Sequence, residues 1–135
     1  MPAGLLQFVV ALLTFVVLDG LWLGVVMGGF YRERLAGLAR MENGGLAPLW
    51  SVAALVYLLL AAGTVWFSAA RATSPASALV WGAGLGLVVY GVYDLTNLAT
   101  LRGWSPALAI VDILWGASAC ALAAWTTVTA SRWLR

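Results

Sequence analysis

The sequence contains no histidine and only one cysteine, and all seven of its basic residues are arginine. Without histidine, imidazole metal sites, histidine general bases and histidine haem ligation are excluded. Cys120 cannot form an internal disulfide, and its position in an apolar run indicates a small buried hydrophobic residue. These absences narrow the chemistry that the chain can support.

Charge is also scarce. Charged residues make up 9% of the 135 residues and hydrophobic residues 64%, against about 25% and about 45–50% in soluble domains. A soluble fold of this size has too much surface to cover with so few charges, so the sequence indicates an integral membrane protein. The net charge of +2 is scattered between apolar runs, which argues against nucleic acid as a partner.

Four apolar runs alternate with short polar connections, and each is long enough to cross a bilayer core of about 30 Å. Because open sheets cannot satisfy their backbone in lipid, we predict an all-α fold, a compact four-transmembrane-helix bundle that forms a single domain over residues 1–135. The first run has no basic residue before it and contains Asp19, so we expect it to be retained rather than cleaved as a signal peptide. The predicted spans are Leu5–Met27, Leu46–Ala70, Ala76–Thr100 and Pro106–Ala130.

The longest connection, between Gly28 and Gly45, has an amphipathic pattern. Tyr31, Leu35 and Leu38 recur at helical spacing, with charged residues around them. This favours a short helix lying in the headgroup region, with a solvated loop containing a helical turn as the alternative. Contacts to lipid headgroups or to an anion are expected at Arg32, Arg34 and Arg102.

Tryptophan and arginine bear on how the bundle sits in the bilayer. The eight tryptophans divide four and four between the two ends of the spans, which is typical of aromatic belts at the interfaces. Four arginines lie in the first and third connections and three in the second connection and C-terminus. The positive-inside rule thus weakly favours termini outside the cytoplasm, with insertion in both orientations as the alternative. We expect a bacterial inner membrane location.

Three aspartates interrupt the spans, although a central Asp opposes insertion by roughly 2.5–3.5 kcal/mol. Asp19 lies nine residues before Gly28, Asp94 eight before Arg102, and Asp112 six after Pro106. At 1.5 Å per residue, all three lie about 9–14 Å from the same membrane face. One polar layer is therefore predicted, with helix-end positions at the interface as the alternative for Asp94 and Asp112.

Other residues extend this predicted layer. Tyr90, Asp94 and Asn97 follow helical spacing, Tyr93 and Thr100 flank them, and Tyr57 in the second span reaches a similar depth. The first and fourth spans share the pattern DxLW, which ends at Trp22 and at Trp115. Small residues also recur at every fourth position, which lets helix backbones approach. They are Gly20, Gly24 and Gly28, then Gly82 and Gly86, then Gly116, Cys120 and Ala124.

The segment YGVYDLTNLATLRGW, together with VLDGLWLG, FYRERLAGL and VDILWG, resembles a family of small bacterial membrane proteins, domain of unknown function 2177. The resemblance covers nearly the whole chain and implies four transmembrane helices. It implies no activity, because the family has none assigned. Its signature residues here are Asp19, Trp22, Tyr93, Asp94, Thr96, Asn97, Asp112 and Trp115.

The sequence is compatible with three functions. The first is a small carrier or exporter in which the Asp layer binds a proton or cation and a small-molecule substrate, working as an oligomer such as a homodimer. The second is a membrane-embedded enzyme acting on a lipid or isoprenoid substrate. The third is a binding or assembly subunit without a cavity at the Asp layer. No cofactor is evident, although the acids could hold a divalent cation.

Overall fold

The computed structural model describes residues 2–134 and is built from four long helices that are apolar enough to cross a membrane. These spans are Ala3–Val26, Trp50–Ala69, Pro75–Thr100 and Pro106–Trp133. The predicted all-α membrane fold is confirmed. In chain order the elements are α1 (Ala3–Leu21), α2 (Gly28–Leu35), β1 (Met41–Glu42), β2 (Gly45–Leu46), α3 (Trp50–Gly63), α4 (Pro75–Thr100) and α5 (Pro106–Trp133).

The third and fourth spans begin at sharply defined capping sites. The Ser74 hydroxyl accepts from the Ser77 amide and the Ser105 hydroxyl accepts from the Leu108 amide, each at the first turn of its helix. Pro75 and Pro106 follow these caps, where the missing N–H has no partner to lose. Short loops therefore reverse the chain between neighbouring spans.

Two spans change from α- to π-helical geometry before they end. The first does so over Trp22–Val26 and the second over Thr64–Ala69. After the first of these segments the chain bends at Met27, and a Cβ on Gly28 would collide with the carbonyl oxygen of Leu23. Glycine at position 28 therefore allows the chain to turn from the first span into α2.

The first connection is a short helix, as the amphipathic pattern favoured, followed by a β-hairpin that was not predicted from the sequence. α2 ends at Leu35, and β1 pairs antiparallel with β2. Asn43 and Gly44 both have positive φ, 49° and 76°, as a tight two-residue hairpin turn requires. Because this hairpin includes Leu46, the second span begins at Trp50 and not at the predicted Leu46.

We call the membrane side with residues 27–49 and 101–105 the hairpin side, and the opposite one the terminal side. α4 and α5 form the most extensive helix pair. Added Cβ atoms on Gly82 and Gly86 would collide with the backbone at Cys120 and Gly116, so these glycines permit the close approach that their spacing predicts. Gly20 and Gly24 differ, because a Cβ on either meets nothing within 4 Å. The small-residue seam predicted for the first span is therefore wrong at these two positions.

The second span is packed at one end and open at the other. Its π-helical segment contacts α4, α5 and α1, whereas α3 packs mainly against α1. Core clusters form around Phe15, Leu60 and Cys120 and, further towards the terminal side, around Ala78 and Val128. The bundle is thus closed on the terminal side and spreads apart on the hairpin side.

Candidate functional site

Asp19 lies near the end of α1 and faces the fourth span. The indole Nε1 of Trp115 donates a 2.8 Å hydrogen bond to its carboxylate, and Tyr57 of α3 borders the same cavity as Asp19. Polar side chains from two other spans therefore accompany an acid that would be costly to place alone in lipid.

Trp22 and Trp115, the tryptophans of the two DxLW segments, stack on each other. Their ring centroids are 4.2 Å apart and their planes differ by 1°. Trp22 donates to the Tyr31 hydroxyl at 3.2 Å, and Tyr31 donates to Asp112 at 2.6 Å. Each DxLW tryptophan thus supports the acid of the other segment, Trp115 directly and Trp22 through Tyr31.

Tyr31 is the link between the interfacial helix and the spans. Its side chain is buried although α2 lies beyond the end of the first span. Burial raises the pKa of the phenol above its ordinary value, and the hydrogen bond to Asp112 raises it further. Tyr31 therefore stays protonated at neutral pH and keeps its role as the donor to Asp112.

Asp94 is the most buried of the three acids, with 0% of its surface exposed. The indole of Trp104 donates to its Oδ1 at 3.2 Å, while Oδ2 is buried with no hydrogen-bond partner among the described residues. The carboxyl group of Asp112 lies next to it. A buried acceptor without a donor costs about 1–3 kcal/mol. If both acids were ionised, the Oδ2 of Asp94 would therefore lack a hydrogen-bond donor. Asp94 is thus covered by protein and does not meet water as a free helix end would, while its depth in the membrane stays a prediction.

Two cavities open on the hairpin side, and both reach Asp19. The smaller, of about 380 Å³, is bordered by Asp19, Asp112 and an aromatic set. The larger, of about 890 Å³, runs between the first and second spans and is bordered by Asp19, Tyr57, Arg32 and Arg40. The aromatic set of the smaller cavity is Trp22, Tyr31, Tyr90, Tyr93, Trp104 and Trp115.

Most of the predicted layer comes together around these cavities. The residues that border a cavity or contact the acids are Asp19, Asp94, Asp112, Tyr57, Tyr90, Tyr93, Trp22, Trp115 and Arg32. Asn97 neighbours the Tyr93 hydroxyl but borders neither cavity.

Four predicted residues lie elsewhere. Thr96 and Thr100 are exposed, and the Thr100 hydroxyl donates back to the Thr96 carbonyl because a threonine in a helix readily bonds the preceding turn. The Arg34 guanidinium lies over the Phe30 ring, 5.5 Å from its centroid. Arg102 is exposed in the third connection. The supporting role of the two threonines stays a prediction, which their exposed positions do not favour.

Three residues of the site, Tyr31, Trp104 and Arg40, were not predicted from the sequence. Tyr31 lies on the apolar side of the predicted interfacial helix, which was a signal for burial but not for contact with Asp112. Trp104 fits an aromatic belt by position, yet its indole donates inward to Asp94. Arg40 borders the larger cavity because the hairpin places it there.

The carboxyl groups of Asp94 and Asp112 lie next to each other. Within residues 2–134, no three or more Cys, Asp or Glu side chains come together in a way that could hold a metal ion. A divalent cation would thus depend on Asp94 and Asp112, with other oxygens completing its ligands. A cation at the Asp layer stays a prediction.

The fold and composition define an integral membrane protein with four candidate membrane spans and a group of polar residues that two open cavities reach. Residues 4–129 match the family described as predicted membrane protein, domain of unknown function 2177, and the chain belongs to that family. The resemblance read from the YDLTNLAT segment is confirmed. Comparison with curated proteins and with solved structures gives no match.

Proposed function

We propose that this protein is a small proton-coupled carrier of the bacterial inner membrane, in which a cationic cargo competes with a proton for the Asp94–Asp112 pair. The observation that carries the proposal is the buried Oδ2 of Asp94, which has no donor and lies beside a second carboxyl group. One proton held between the two groups supplies that donor, as in other closely spaced carboxyl pairs.

The groups around the pair suit binding of a proton or a cation. Tyr31 and Trp104 donate to the two acids from α2 and from the third connection. Tyr93 of α4 borders the same cavity as Asp112, and Asp19 accepts from Trp115 of the tryptophan stack. Aromatic faces bind organic cations well when water is excluded, so the smaller cavity fits an aromatic or alkylated cation.

The one-sided opening of the bundle also supports a carrier. Both cavities open on the hairpin side, while small residues close the terminal side. An assembly subunit, in contrast, needs no cavity that reaches the acids. A carrier alternates between states that expose its site on opposite sides, and the bundle has the form of one such state.

Buried hydroxyl groups on the closed half offer a polar route for the opposite state. The hydroxyls of Thr64, Ser68 and Thr127 are buried and have no hydrogen-bond partner within the part of the chain that the structure describes. Thr64 and Ser68 lie in the π-helical segment of the second span, and such segments often accompany functional sites. Separation of this segment from α5 would give these hydroxyls access to water.

The test is uptake of a fluorescent aromatic cation into proteoliposomes, driven by an imposed pH gradient. D94N and D112N are expected to abolish proton-driven uptake, because an amide cannot exchange a bound proton for a bound cation. E42Q, which alters an exposed acid in the hairpin, is the matched control and should transport like the wild type. Wild-type rates in D94N and D112N would contradict the proposal.

A further inference from the structure

The larger cavity, which we call the lipid groove, lies between the first and second spans outside the aromatic site. It is bordered by small and aliphatic residues along the spans, by Asp19 and Tyr57 at its inner end, and by two arginines beyond the span ends. The apolar border includes Val16, Gly20, Leu23, Gly24, Leu46 and Ala53. Its volume of about 890 Å³ is within the range of pockets that hold one small-molecule ligand, roughly 300–1,000 Å³.

We propose that this groove binds one anionic membrane lipid, with a hydrocarbon chain between the two spans and the phosphate of its headgroup at Arg32 and Arg40. Charge complementarity identifies the occupant, because both arginines border a space whose walls along the spans are apolar. Guanidinium groups recognise phosphate through paired N–H donors. This site is separate from the carboxyl pair and does not depend on carrier activity.

Other arginines do not compete for this role. Arg34 lies over Phe30, Arg71 lies over the Trp81 ring at 5.6 Å, and Arg132 donates to the Thr73 carbonyl on the terminal side. Arg32 is in α2, and Arg40 directly precedes β1. The helix–hairpin connection thus brings two cations from different elements to the headgroup end of a single groove.

The glycines of the first span shape the groove. Gly20 and Gly24 border it, and an added Cβ at either position meets no atom within 4 Å. These glycines therefore make room for a ligand instead of for a neighbouring helix. A larger side chain there should occupy the groove without displacing the protein backbone.

The inner end of the groove is closed by groups that already have partners. Asp19 accepts from Trp115 and neighbours Tyr57, so the end of a hydrocarbon chain would meet a hydrogen-bonded pair and not a bare carboxylate. The competing occupant is a second copy of this protein. It would place a helix in the groove, whereas a lipid would place one hydrocarbon chain there and its anionic headgroup at the arginines.

The experiment titrates the delipidated protein in detergent with phosphatidylglycerol or phosphatidylcholine and counts bound lipids by native mass spectrometry. We expect one tight phosphatidylglycerol site and weaker phosphatidylcholine binding. R32Q and R40Q should each weaken phosphatidylglycerol binding about fivefold, the ratio that corresponds to roughly 1 kcal/mol per arginine near a lipid surface. R71Q, at an arginine that lies over the Trp81 ring on the terminal side, should bind like the wild type.

A second pair of variants tests the groove itself. Gly24→Leu should weaken binding of both lipids, because the leucine fills the space that the chain would take. Gly84→Leu makes the same change at an exposed α4 position with nothing within 4 Å and should leave binding unchanged. Equal affinity for the two lipids, unaltered binding in R32Q/R40Q, or a lipid-free dimer that Gly24→Leu dissociates would overturn the proposal.

Discussion

At the scale of single residues, Tyr31 connects the two halves of the site. It accepts from Trp22 and donates to Asp112, so a residue in the interfacial helix holds the acid of the fourth span and the tryptophan of the first. Its hydroxyl reaches them because the bend at Met27 and Gly28 turns α2 back towards the bundle. Loss of the Tyr31 hydroxyl therefore leaves both partners short of a hydrogen bond.

Tyr31→Phe should destabilise the protein by about 1–3 kcal/mol, since it removes the donor to a partly buried carboxyl group and the acceptor for the Trp22 indole. The measurement is thermal or denaturant unfolding in a fixed detergent. Tyr93→Phe removes the hydroxyl of a half-exposed tyrosine and should change stability by less than about 0.5 kcal/mol. Equal effects of the two variants would show that Tyr31 contributes only its ring.

Asp94→Asn should make the protein as stable as the wild type or more stable by about 1 kcal/mol. The amide of asparagine can donate to Asp112, whereas the Oδ2 of Asp94 has no donor. Asp94→Ala is the comparison, because it removes the acid without supplying a donor to Asp112. Unfolding midpoints of the three proteins give the answer, and a strong loss of stability in Asp94→Asn would mean that the ionised pair is itself stabilising.

Residue positions along a helix could be predicted from the sequence, and rotations could not. Counting at a fixed rise gave the common depth of Asp19, Asp94 and Asp112, because depth depends only on distance from a helix end. Whether Thr96 or Asn97 faces the bundle depends on helix rotation, which the neighbouring spans determine. The directions of the Trp104 and Trp115 side chains could not be predicted either, since an indole at the interface can equally face lipid or an acid.

At the scale of elements, the glycines divide into two kinds that have the same spacing. Those of α4 let α5 approach to backbone contact, while those of the first span leave an open groove. Spacing predicts a surface of small residues on either helix. It does not say whether a helix or a ligand covers that surface, because this depends on where the second span diverges.

Gly86→Ala should destabilise the bundle by about 1–3 kcal/mol, the usual cost of overpacking a tight core. The new methyl group would collide with the Gly116 carbonyl, which is part of the α5 backbone and cannot rotate away. Gly84→Ala, two residues earlier on the exposed face, meets nothing within 4 Å and should be neutral or slightly stabilising. Unfolding in detergent distinguishes the two, and equal stability would mean that α4 and α5 separate easily.

At the scale of the whole molecule, the bundle is asymmetric across the membrane. Apolar length and composition were sufficient to predict four spans, because lipid imposes both. The asymmetry was not predictable, since it arises from the β-hairpin at Asn43 and Gly44 and from the packing of the π-helical segment Thr64–Ala69. Its consequence is that water and solutes should reach Asp19 from the hairpin side alone.

This asymmetry can be measured with a membrane-impermeant thiol reagent on sealed vesicles of known orientation, using single cysteines in a Cys120→Ala background. Tyr90→Cys borders the smaller cavity, Asn43→Cys marks the hairpin side, and Thr73→Cys marks the terminal side. Tyr90→Cys should react in the same vesicles as Asn43→Cys, because the smaller cavity opens on that side. Ser68→Cys, fully buried in the closed half, should react slowly from either side and faster under a pH gradient if the carrier alternates. Reaction of Tyr90→Cys together with Thr73→Cys would contradict the direction of opening. The markers Asn43→Cys and Thr73→Cys also report whether the chain inserts with its termini outside the cytoplasm.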